Sequence, residues 1–205
     1  PNPKDANGVS LYASTQEQMA QGKYTAVTTE TDKINVDGSA LKTAVIYTGN
    51  NGDNIIKGGF SNDEFHANGG NDALTGGKGS DKFVFDSALN AVTNVDKITD
   101  FTSGKSHYAF SDKLYLDDAI FTGLSTGKLN SAAFNVGTAA TEADDRIIFD
   151  NTTGKLYFDA DGSGAGTQTL FVELTGVSNL QASDITIIWW PCIINYHQGN
   201  IMPLH

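Results

Sequence analysis

Cysteine is almost missing from this chain: a single thiol, Cys192, stands in 205 residues. No internal disulfide framework can therefore hold the fold together. Positive charge is scarce too. Thirteen Lys and Arg face 24 Asp and Glu, a formal net charge of −11, with no basic cluster to serve as a phosphate footprint. Nucleic acid is excluded as an expected partner. No transmembrane segment is expected, because the most apolar stretch, Ile185-Thr-Ile-Ile-Trp-Trp-Pro-Cys-Ile-Ile194, falls short of the roughly 20 residues a spanning helix needs. The four histidines, at 66, 107, 197 and 205, are scattered, and neither a His-Glu-x-x-His helix nor a Gly-x-Ser-x-Gly elbow occurs. The chain is expected not to be an enzyme. It also lacks an N-terminal signal peptide; the opening Pro1-Asn-Pro-Lys4 reads as a start cut at a linker. Charged residues at 18% and hydrophobic residues at 39%, eleven of them Phe, argue against a disordered chain and supply a β core.

What the chain has in quantity is glycine, 22 residues, and much of it falls in a repeat. From Gly49 to Val84 four nonapeptides follow without a gap: GNNGDNIIK, GGFSNDEFH, ANGGNDALT and GGKGSDKFV. Gly, Asn and Ser fill the opening positions because the chain must bend through conformations that a Cβ resists. The sixth position holds Asn54, Asp63, Asp72 and Asp81, and the eighth Ile56, Phe65, Leu74 and Phe83. A short strand after the sixth position points its eighth residue into the core and its neighbours outward. One coil uses two nonapeptides, so Asn54 stacks above Asp72 and Asp63 above Asp81, about 4.8 Å apart. Two carboxylates at that distance repel by roughly 1 kcal/mol in water and roughly 3 to 4 at an effective dielectric of about 20. A divalent cation reverses that sign. Calcium (Ca2+) suits an edge of carboxylates and carbonyls better than magnesium, which wants a tight octahedron. Zinc would want thiolate or imidazole, and the repeats hold only His66. At the ninth position, His66 is expected to be an ordinary outward-facing surface histidine.

These nonapeptides resemble the RTX, or haemolysin-type calcium-binding, repeat family of bacterial type I secretion substrates. Phe83-Val-Phe-Asp86, Asp96-Lys-Ile-Thr-Asp100-Phe101 and Asp112-Lys-Leu-Tyr-Leu-Asp117 are similar to the segments that close the roll in that family. Gly154-Lys-Leu-Tyr-Phe-Asp-Ala-Asp-Gly-Ser-Gly164 and the stretch from Leu174 to Ile187 resemble its C-terminal secretion region. The resemblance implies a first calcium site from Asn50, Gly52 and Asn54 with Ala67, Gly69 and Asp72. A second would use Gly59, Ser61 and Asp63 with Gly76, Lys78 and Asp81. Further ions would use Asn68, Gly70 and Asp72, or Gly77, Gly79 and Asp81, helped by Asp96 or Asp100. Three departures from the family pattern stand out: Asn54 replaces an Asp, with Asp53 beside it to supply charge; Ser61 replaces a Gly; and Ala67-Asn68 replaces a Gly pair. The resemblance further implies a secreted or bacterial cell-surface location and the type I secretion machinery as partner. A larger adhesin would be the parent, reaching a host or surface ligand. Two alternatives stay open, the C-terminal domain of a secreted protease or lipase, and a calcium-organised carbohydrate-binding module using Trp189, Trp190 and Tyr196.

The expected fold is all-β: a short calcium-binding parallel β-roll of about two coils over 41–101, then a β-sandwich-like C-terminal cap over 102–190. An N-terminal linker or capping segment spans 1–40, and a divergent tail 191–205. Capping-box spacing at Ser14-Thr-Gln-Glu17 suggests a short helix over 15–21. Strands are expected within 24–36 and at 42–48, then at 113–116, 133–136, 146–150, 155–159, 169–174 and 184–190, with a helical turn within 124–131. Asp159-Ala-Asp161-Gly-Ser163 opens like an EF-hand loop, but Leu170 stands where the bidentate Glu belongs. It reads as an acidic hairpin turn, with an additional calcium site as the alternative.

Overall fold

The structure, a computed structural model, describes residues 22–25, 31–104 and 110–189. The helix expected over 15–21 and the tail from 191 lie outside the described residues. Short strands dominate. β1 (Lys23–Thr25), β2 (Asn35–Asp37) and β3 (Ile46–Thr48) lead into β4 (Ile55–Lys57), β5 (Glu64–His66), β6 (Ala73–Thr75) and β7 (Lys82–Phe85). Then come β8 (Asp96–Ile98), β9 (Lys113–Asp117), β10 (Gly127–Lys128), β11 (Phe134–Val136), β12 (Ile147–Asp150), β13 (Lys155–Phe158), β14 (Thr169–Leu174) and β15 (Ile185–Ile188). The helical turn sits at Ser131–Ala133, a 3-10 helix capped by the side chain of Asn130, just beyond most of the stretch expected to hold it.

Successive repeat strands alternate between two sheets, as a coil of two nonapeptides requires. One sheet runs β1-β3-β5-β7-β9-β15-β10 and the other β11-β12-β13-β14-β8-β6-β4-β2. Within the repeats all pairing is parallel: Ile55 lies beside Ala73 and Glu64 beside Lys82, eighteen residues on in each case. Both sheets continue into the C-terminal half, where β9 pairs with β7 and β14 with β8, again in parallel. Beyond β14 the pattern changes to antiparallel hairpins, β14 with β13 and β13 with β12.

The eighth-position side chains make the core between the sheets. Ile56, Phe65, Leu74 and Phe83 are all buried. Tyr47, eighteen residues before Phe65, extends the column upward. The rings of Tyr47, Phe65 and Phe83 stack at 5.0 Å spacing, tilted by 15° and 13°, an offset geometry that favours aromatic pairs by roughly 1 kcal/mol beyond their burial. Phe101 follows at 6.1 Å. The cap has its own aromatic cluster, with Phe171 edge-on to both Phe85 and Phe121.

Candidate metal centre

Each repeat turn leaves its strand through a tight bend and returns at the sixth position. Gly77 and Gly79 take φ of 93° and 133°, and Asn68 takes φ of 70° where its two neighbouring repeats carry glycine. Asn is among the few side chains that tolerate this region. Gly58 is required for a different reason: a β-carbon there would collide with the Gly76 carbonyl, Asp63 Oδ2 and the Phe65 ring. The turns therefore bring carbonyl and carboxylate oxygens to within van der Waals reach of the neighbouring backbone.

The sixth-position side chains form a ladder down each edge. Asp63 Oδ1 accepts from Val45 N at 2.8 Å, Asp81 Oδ1 from Asp63 N at 2.8 Å, and Asp72 Oδ1 from Asn54 N at 2.6 Å. The stacked acids thus tie main chain to main chain between coils. What remains is the second oxygen. Asp63 Oδ2 accepts from Gly59 N at 2.7 Å, but Asp72 Oδ2 and Asp81 Oδ2 are buried and meet no donor among the described residues.

For the second site, Gly76 O and Asp63 Oδ2 converge beside Gly58, while Asp81 Oδ2 lies against Gly76. Gly59 O accepts from Lys78 N at 2.9 Å, and the Ser61 hydroxyl donates to Lys42 O at 2.7 Å. Ser61 O presses on Gly79, and Gly59 O on Gly77. For the first site, Ala67 O and Asn54 Oδ1 converge beside Gly49 in the same relation. Here the side chains satisfy one another. Asn50 Oδ1 accepts from Gly52 N at 2.9 Å and from Asn54 Nδ2 at 2.8 Å, and Asn54 Oδ1 accepts from Asn50 N at 3.0 Å. Gly52 O faces Gly70, and Gly69 sits beside Asn51. Asp53 Oδ1 is taken by Asn71 N at 2.8 Å. Asn68 Nδ2 donates to Gly49 O at 2.8 Å. Asp100 anchors a turn with both oxygens, accepting from Gly76 N at 2.8 Å and Gly77 N at 2.9 Å.

The electrostatics follow from this burial. Burial pushes Asp81 up to about 7, helped by the charges of Asp112, Asp63 and Asp100. Burial also raises Asp63. Asp72 and Asp96 are both raised, chiefly by burial, and the charge of Asp72 raises Asp96 further; Asp96 Oδ1 accepts from Asp72 N at 3.1 Å. Among the described residues no group of three or more His, Cys, Asp or Glu side chains stands ready to hold a metal. The oxygens offered are carboxylates, at most one from each turn, combined with main-chain carbonyls. Such a set suits a hard cation of flexible coordination and offers nothing to a thiolate- or imidazole-seeking metal. The unpartnered buried oxygens and the absence of room for a β-carbon beside them fit calcium.

One ladder member is not obvious from the nine-residue period. Asp112 Oδ1 accepts from Asp81 N at 2.8 Å and Oδ2 from Thr102 N at 2.8 Å, and burial pushes its carboxyl up to about 6. It lies 31 residues after Asp81, out of register with the repeat. The signal that finds it is local: Asp81-Lys-Phe, Asp96-Lys-Ile and Asp112-Lys-Leu share one pattern of acid, Lys and apolar residue.

His66 departs from the surface residue expected of it. It is buried, with Nδ1 at 2.9 Å from Asp86 Oδ2 and Nε2 at 3.0 Å from Glu64 Oε1. Its side chain does point away from the Phe65 core, but the chain leaving β7 brings Asp86 over it. Burial alone would lower its pKa; the hydrogen bonds to Asp86 and Glu64 outweigh that and raise it. The Asp159–Asp161 segment is an acidic turn between β13 and β14. Asp161 Oδ2 accepts from Gly166 N at 3.0 Å and Asp159 Oδ1 from Asp161 N at 3.2 Å. The Gly166 hydrogen bond, with Arg146 nearby, lowers Asp161. Trp189 stands 68% exposed at the end of β15, while Trp190 and Tyr196 lie outside the described residues.

Residues 48–83 match, in four copies, the family model of the RTX calcium-binding nonapeptide repeat. No curated protein matches the chain. The turns that crowd Gly58 and the carboxylates left without donors, Asp72 and Asp81, all fall within the matched residues. On sequence and on geometry alike, this segment is an RTX repeat array, and the chain carries a calcium-binding module of that type.

Proposed function

We propose that this module, with its roll over 41–101 and its cap over 102–190, stays open in a calcium-poor compartment and closes on meeting calcium outside the cell. It would form the C-terminal type I secretion region of a larger secreted or surface protein, an adhesin. The observation that carries the reading is Asp81: a buried carboxylate with one oxygen tied to Asp63 N and the other facing no donor. An ionised acid so placed opposes closure of its own coil. When bound, calcium supplies positive charge and about six to eight coordination positions for oxygen. Asp63, Gly76 and Asp81 would hold it at the second site, with Ser61, Lys78 and Gly59 contributing carbonyls. Asn54, Ala67, Asp72 and the Asn50–Gly52 turn would hold it at the first. Binding free energy at such sites becomes folding free energy.

The role is proposed as non-catalytic. Secretion and extracellular location are supported by the repeat type and by the acidity of the chain, −11 overall. Far-UV circular dichroism during a calcium titration tests the proposal, with magnesium as control. A cooperative gain of β signal between about 10⁻⁴ and 10⁻³ M calcium, absent with magnesium, is the expected result. A full β signal in chelator, unchanged by calcium, would show the turns to be self-sufficient and end the export-switch reading.

A further inference from the structure

The fifth position of the repeat varies: Asp53, Asn62, Asn71 and Ser80. Asp53, Asn62 and Asn71 are exposed, and exposed polar residues are ordinarily exchanged at little cost. Yet all four are short side chains with an oxygen acceptor, and each places that oxygen on a later segment of the chain. Asp53 Oδ1 accepts from Asn71 N at 2.8 Å and Asn62 Oδ1 from Ser80 N at 2.8 Å. Asn71 Oδ1 accepts from Val95 N at 2.9 Å and Ser80 Oγ from Ser111 N at 3.0 Å, which carries the same rung past the repeats. The amide that follows is held from the other side, Asp72 N by Asp96 Oδ1 at 3.1 Å and Asp81 N by Asp112 Oδ1 at 2.8 Å.

A peptide unit is planar and trans, so fixing its N–H also fixes the direction of the carbonyl in the same plane. The N–H of Asn71 shares its plane with Gly70 O, and the N–H of Ser80 with Gly79 O. Gly70 and Gly79 take φ of 110° and 133°, and a glycine by itself does little to set that plane. Neither carbonyl accepts from a main-chain amide of the described residues, and both are among the oxygens expected to meet calcium. We propose that Asp53 and Asn62 are positioning residues for the calcium sites: their side chains hold the amides of Asn71 and Ser80 and so turn Gly70 O and Gly79 O toward the cation. Neutral Asn62 does on its edge what the acid Asp53 does on the other, so the task is to accept a hydrogen bond and not to supply charge. The proposal rests on calcium binding at the repeat turns and is independent of export.

Calcium titrations of the whole chain followed by circular dichroism, with amide hydrogen exchange read by NMR in saturating calcium, test it. Asn62→Ala is expected to raise the calcium midpoint about fivefold, equivalent to about 1 kcal/mol, the scale of one neutral hydrogen bond. The Ser80 amide should then exchange about tenfold faster. Asn62→Asp keeps the acceptor, as Asp53 does, and is expected to restore slow exchange at Ser80 without raising the midpoint. Asn151→Ala, the same change on an exposed turn of the cap, should leave both readings in place. An unchanged midpoint in Asn62→Ala, an equal rise in Asn62→Asp or Asn151→Ala, or unchanged exchange at Ser80 would overturn the proposal. If the unsubstituted chain shows no calcium transition, closure by calcium fails on its own account, and exchange at Ser80 still decides whether Asn62 holds that amide.

Discussion

The aspartates of the repeat edge and those of the cap are the same residue in opposite circumstances. In the cap, Asp150 accepts from the amides of Thr152 and Thr153 and from both their hydroxyls, which lowers it to about 2. Asp145 accepts from Thr141 N, the Thr141 hydroxyl and Glu142 N, and these outweigh its burial and lower it as well. On the repeat edge, Asp81 has one donor for two oxygens and is pushed up to about 7. Asp150 and Asp145 are kept ionised by donors that their own turns supply. Asp72 and Asp81 are each left short by one donor among the described residues, and that shortfall fits an edge that takes a cation.

The sharpest way to break the contrast is to remove the core both regions depend on. Phe83→Ala takes out the ring between Phe65 and Phe101 and is expected to cost about 3 to 5 kcal/mol, read as a lower urea midpoint in saturating calcium. Next comes the edge itself. Asp81→Ala or Asp63→Ala should raise the calcium midpoint of folding about tenfold, equivalent to about 1.4 kcal/mol. Asp118→Ala and Asp150→Ala should leave that midpoint in place, the latter lowering only the urea midpoint. Equal calcium midpoints in all four variants would reject the stacked-turn assignment.

Proton dependence should separate the regions too. Asp81 and Asp112 have folded pKa values raised to about 7 and about 6 from an ordinary 3.8. A raised acid binds its proton more tightly when folded. Its contribution is therefore fully present below about 4 and is lost as pH rises through about 6 to 7. In chelator the chain is expected to gain β signal as pH falls from 8 to 5, read by circular dichroism; a flat profile would contradict the raised values. The smallest effect is expected at the first site. Asn54→Asp removes the Asn54 Nδ2 bond to Asn50 and adds a charge at the first site, so it should lower the calcium midpoint about threefold, equivalent to about 0.7 kcal/mol.

The sequence makes the roll legible because its period encodes geometry directly. Position eight is buried in every repeat, and residues eighteen apart do lie side by side. The strands of the cap can also be read, since β9, β12, β13 and β14 alternate or run apolar between turn residues. His66 could not be read this way. Its burial depends on Asp86, which lies past the last repeat and reaches back over β5 by a connection that has no period. Asp112 was hidden for a related reason: the chain between Asp81 and Asp112 is longer than one coil, so counting by nines misses it, whereas the shared Asp-Lys-apolar pattern does not. The donor shortfall at Asp72 and Asp81 is a property of how turns stack, and only coordinates reveal it.

The ladder also has a direction. In every rung the carboxylate comes from the later coil and the amide from the earlier one: Asp63 to Val45, Asp81 to Asp63, Asp112 to Asp81 on one edge, Asp72 to Asn54 and Asp96 to Asp72 on the other. The fifth positions run the other way, Asp53 Oδ1 accepting from Asn71 N and Asn62 Oδ1 from Ser80 N, so neighbouring coils hold each other from both sides. The sixth-position rungs end at Asp96 and Asp112, so a chain cut before them would leave the last two repeat amides of the ladder, Asp72 N and Asp81 N, without their acceptors.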